Sequence, residues 1–135
     1  MSLDTRLTLL KAVSLVISNY TTPPEPYAAP GQVLDGSESC ARLRGLDAAV
    51  NLASLLADTT PTFQALISAS SALLAGFVVN DTSHGPQQVL SGTDTRVLLA
   101  RLEEAAEAEA EDIANTKGYF DSIIFAFREQ RKAKS

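Results

Sequence analysis

The chain has 135 residues, the size of one domain that can bury its own core without staples. Its net charge is −5 and its isoelectric point about 4.7, which argues against nucleic acid as the main partner, because phosphate binding needs a concentrated basic surface. A single cysteine, Cys40, rules out an internal disulfide and points to a reducing compartment or indifference to redox; the 45% hydrophobic share, with Ala and Leu prominent, favours helix.

The first predicted helix covers Leu3–Asn19. Leu7, Leu10, Val13 and Ile17 recur on one face, Leu9 and Val16 widen it, and Ser2 stands where a cap belongs. Asp4 and Lys11 interrupt the apolar run that a signal peptide would need. Residues 21–34 then hold Pro23, Pro24, Pro26 and Pro30. This much proline excludes helix and favours extended geometry, so the segment reads as a crossover strap, pinned by Tyr27, Val33 and Leu34.

A second helix is expected from Asp35, where Asp35 and Glu38 have capping-box spacing. Its apolar set is Cys40, Leu43, Leu46, Val50, Leu52, Leu55 and Leu56, and Gly45 is a mild weakness inside it. Thr60 and Pro61 form a cap and first-turn pair, so a third helix follows a short connection and should lie antiparallel to the second. That helix, within Phe63–Val79, is apolar nearly all round and reads as the buried centre of a bundle. Ser68, Ala72 and Gly76 form a ridge of small residues, read as tight packing inside the fold. The stretch is about 17 residues long and dotted with serines, short of the roughly 20 apolar residues of a membrane span.

Residues 80–93 read as a loop, with a short extended piece at Gln87–Leu90. From Thr93 or Asp94 to about Arg131 runs a long predicted helix whose 3-4 stripe comprises Leu99, Leu102, Ala106, Ile113, Phe120, Ile123 and Phe127, with polar Glu109 and Thr116 in two slots. Uninterrupted, ~37 residues of helix would span roughly 55 Å, too long for the rest of the bundle, so it projects to a partner unless Gly118 breaks or kinks it. A break there would leave a fifth short helix over Tyr119–Arg131. The expected architecture is all-α and four-helix-bundle-like, with an extended C-terminal helix.

Little in this pattern points to chemistry. His84, the one histidine, sits with Asp81 and Ser83 in a single polar loop, whereas a catalytic triad converges from separate elements. Cys40 falls on an apolar helix face and reads as an inert buried thiol. Glu103, Glu104, Glu107, Glu109, Glu111 and Asp112 form an acidic run; paired carboxylates can hold Mg²⁺, but the second pair would have to come from another helix. The run reads instead as a solvated face, or as an acidic docking surface for the basic Arg128–Lys134 tail of another copy. No phosphate loop or Cys-x-x-Cys pair is present, and the sequons at Asn19 and Asn80 carry little weight without a secretion signal.

Tyr119, Phe120, Phe125 and Phe127 spread over more than one helix face, so either that end lies deep in the core or one face docks inward and another meets a neighbour. The expected partner-binding residues are Tyr119, Phe120, Ile123, Phe127, Arg128 and Arg131. The reading is a non-enzymatic, self-associating structural or assembly subunit of ring, shell, virus or phage-particle type, cytoplasmic or assembled into a particle within the cell. No cofactor, metal or small-molecule substrate, and neither nucleic acid nor membrane, is expected. The alternative is a small helical adaptor, chaperone or antitoxin-like protein that binds one different protein.

Overall fold

The computed structural model describes residues 2–79, 85–118 and 121–133. Among these, five helices carry the fold: α1 (Leu3–Ile17), α2 (Gly36–Ala53), α3 (Pro61–Leu74), α4 (Gly92–Lys117) and α5 (Ser122–Ala133). The four longer starts are set by side-chain caps. Ser2 accepts from the Thr5 amide, Asp35 from Glu38 at 2.8 Å, Thr60 from Phe63 at 3.2 Å and Ser91 from Asp94 at 3.1 Å. Ser91 therefore starts α4 slightly earlier than Thr93.

The fold is all-α and bundle-like. α1 packs on α2, α2 on α3, α3 on α4 and α4 back on α1, while α5 lies on α4 and touches α1. Leu9, Leu10 and Val13, Leu43 and Leu46, Phe63, Leu66 and Leu73, and Leu102, Ala106 and Ile113 fill the centre. Each large side chain so buried contributes roughly 1.5–3 kcal/mol relative to exposure.

The structure departs from the sequence reading at several points and decides between its alternatives at another. The 3-4 stripe of α4 faces its own bundle, with Leu102, Ala106, Glu109 and Ile113 all buried, and so is not a seam kept for a partner. Of the two alternatives for the long helix, the break at Gly118 with a fifth short helix is the one present: α4 ends at Lys117 because Gly118 adopts φ 61°, a left-handed cap whose amide donates to the Ala114 carbonyl at 3.1 Å. Asp121 then caps α5, its Oδ1 accepting from the amides of Ile123 and Ile124. α3 is not surrounded by protein. Phe63, Leu66, Ser70 and Leu73 form its one buried face, and Ser68 and Ala72 of the small-residue ridge are exposed. Finally, Leu52 is on the outward side of the last turn of α2, and because α2 stops at Ala53, Leu55 and Leu56 lie beyond it; all three are exposed and outside the core.

The proline-rich segment is a returning arm, not a crossover. β1 (Tyr20–Thr21) pairs antiparallel with β2 (Gly31–Gln32), and the four prolines lie between them, outside the ladder. A second arm joins α3 to α4 in the same way, with β3 (Phe77–Val78) antiparallel to β4 (Gln87–Gln88). Both arms sit at one end of the bundle, where the Tyr20 and Phe77 rings meet at 5.8 Å. Asn19 fastens the first arm: its carbonyl accepts from Val33 at 2.8 Å, and its side chain accepts from Leu34 and donates to Ser39, both at 2.9 Å.

The arm also rests on the start of α4. Arg96 Nη1 donates to the carbonyls of Glu25 and Ala28. A Cβ on Gly92 would stand 2.6 Å from the Tyr27 carbonyl oxygen and 2.7 Å from the Ala29 nitrogen, both backbone atoms. Gly92→Ala is therefore expected to push the arm off α4 and to destabilise the protein by about 1–3 kcal/mol in urea titration. An unchanged midpoint would show that the arm yields freely.

Candidate interaction surfaces

The acidic run divides between inside and outside because α4 turns its residues through the full circle. Glu107 and Glu109 are buried, Glu103, Glu111 and Asp112 are half-buried, and Glu104 is exposed. A wholly solvated face is thus corrected. Glu109, 0% exposed, meets Arg6, 2% exposed, in a two-pronged pair: Nη2 to Oε1 at 2.5 Å and Nε to Oε2 at 3.1 Å. Arg6 Nη2 also reaches Asp112 Oδ2 at 2.6 Å, and the Thr62 hydroxyl donates to Glu109 Oε1 at 2.8 Å. Burial by itself lowers the Arg6 pKa, but the hydrogen bonds and charges of Glu109 and Asp112 outweigh it and hold the guanidinium above its ordinary value. The network ties α1, α3 and α4 together.

Arg128, at the start of the basic end, is answered from within. Its Nε donates to Glu111 Oε2 at 3.0 Å, an acid-to-base match of the kind the sequence reading offered, as an alternative to a solvated face, to another copy. Of the residues expected to bind a partner, Phe127 is buried, Ile123 is half-buried against the core, and Arg131 is exposed on the last turn of α5. Tyr119 and Phe120 lie outside the described residues. Ile124 joins Phe127 on the inner face, and the outward aromatic of α5 is Phe125, 61% exposed.

Two kinds of open apolar surface remain. One is a groove of about 470 Å³ between α3 and α4, floored by Ala65, Ser68, Ala69, Ala72, Ala105 and Ala108, with Leu98, Arg101 and Glu104 along it. The other is a set of large exposed side chains, most of them toward the two ends of the bundle, with Leu15, Val97 and Phe125 exposed on the helices themselves. Tyr27, Val33, Val89 and Leu90 lie at the arm end, and Leu52, Leu55 and Leu56 at the α2–α3 end. The sequence reading singled out Ser68 and Ala72 as a ridge but placed it inside the fold, and it placed Leu52, Leu55 and Leu56 on a core face; Ala and Ser in α3 raised its apolar count without supplying side chains large enough to demand burial.

Cys40 is fully buried, and His84 lies outside the described residues. The Tyr20 hydroxyl is buried without a hydrogen-bond partner among the described residues; burial, with a contribution from Cys40, pushes the phenol up to about 12. Among the described residues no group of three His, Cys, Asp or Glu could hold a metal ion, and no helix is long and apolar enough to cross a membrane. Comparison with protein-family models, with curated proteins and with solved structures gives no match.

Proposed function

We propose that this protein is a non-enzymatic helical subunit that associates with copies of itself, as a structural or assembly component of a ring, shell or phage-type particle. The observation that carries this reading is the placement of its exposed large apolar residues. Leu55 is 81% exposed at one end of the bundle and Tyr27 83% exposed at the other. Two different apolar patches at opposite ends favour a head-to-tail contact, and repeated head-to-tail contacts give rings or filaments.

The test is solution mass by light scattering over a concentration series. A defined multimer is expected, and Leu55→Glu should lower its mass while leaving helicity intact. Leu55 is exposed in the single chain, so that substitution has no core to disturb. A monomer at every concentration would overturn self-association and direct the search to a different protein partner. A multimer that ignores Leu55→Glu would overturn the end-to-end contact.

A further inference from the structure

We propose that the α3–α4 face bearing this groove is a two-fold interface that packs against the same face of a second copy. The proposal rests on the self-association reading and assigns it a second, lateral contact. The groove is open along antiparallel helices and its floor is alanine and serine. Side chains this small let helices approach to the near end of the usual 8–10 Å range, where backbones touch along their length.

The identity of the occupant follows from charge. Arg101 and Glu104 both line the groove and are exposed. They stand three apart on α4, a spacing at which ion pairs form, yet neither has an ion pair or hydrogen bond among the described residues. Each copy therefore presents one unanswered cation and one unanswered anion beside an apolar strip. A two-fold axis requires that if Arg101 meets the second copy's Glu104, its own Glu104 meets the second copy's Arg101. The patch is complementary to itself, which no general apolar groove needs to be. Leu98 and the alanines supply the dry contact on either side.

Charge reversal tests this without touching the core. Arg101→Glu places two like-charge contacts across the axis, and Glu104→Arg does the same with the opposite sign. Each variant alone should show a dissociation constant raised on the order of 100-fold, read by light scattering or sedimentation. Mixed in equal amounts, the two variants should recover association, because every Glu then faces an Arg. Circular dichroism should report unchanged helicity for each alone. Wild-type mass insensitive to either reversal would overturn the groove interface and leave the end-to-end contact standing. A mixture that fails to recover would overturn the two-fold pairing. A wild-type monomer at all concentrations would overturn both readings.

Discussion

Glu109→Ala is expected to be the most damaging single substitution in the molecule. It leaves the Arg6 guanidinium, 2% exposed, with Asp112 as its remaining carboxylate, and that group is itself partly in water. Removing one member of a buried pair costs about 3–5 kcal/mol, because the survivor is a charge out of water with too few partners. For a chain of this size the loss is expected to lower the melting temperature by about 10 °C or more. The companion experiment separates burial from charge. In Arg6→Leu/Glu109→Leu no full charge remains buried at the site, Asp112 can turn to water, and Thr62 is half-buried. That double variant should recover most of the lost stability or exceed the wild type. If the double variant is as unstable as the single one, the network's value lies in its geometry and not in charge compensation.

The second large effect concerns α5. Phe127 is 4% exposed and packs with Ile124 against the bundle, so Phe127→Ala should destabilise by about 3–5 kcal/mol. Phe125→Ala, on the outward side of the same helix, should change stability by less than about 0.5 kcal/mol. Urea titration gives both values, and proteolysis after Arg128 and Arg131 reports whether α5 has lifted off its neighbours. Equal, small effects at the two positions would mean that α5 is an appendage held elsewhere.

These two sites also show what could be read from the sequence. The helices themselves were legible, because caps at Ser2, Asp35 and Thr60 and the apolar spacing of Leu43, Leu46 and Val50 are local signals. The break at Gly118 was legible as an alternative, because a glycine inside a long helical pattern is either a flaw or a stop. The direction in which a stripe faces is not local. Leu102, Ala106 and Ile113 would look the same against a partner or against α1 and α3, and only the packed bundle decides. Arg6 and Glu109 carried a usable signal that the sequence reading did not use: each is the one charged residue on an otherwise apolar face, and such misfits on two helices are candidates for each other. That the small-residue ridge of α3 faces outward was illegible for the opposite reason. Alanine scores as apolar yet is as content in water as in a helix face, so α3 looked buried all round when only Phe63, Leu66, Ser70 and Leu73 are.

The same ion network has a consequence for the order in which the chain matures. Arg6 and Glu109 are separated by 103 positions, and the arm at Glu25 waits on Arg96, 71 positions later. At synthesis rates of about 5–20 residues per second, α1 stands for roughly 5–20 s with its cation facing water before its partner exists. Closure of this network is therefore a late event: α1 can pack on α2 as soon as both helices exist, but its buried cation is answered only once α4 has been added.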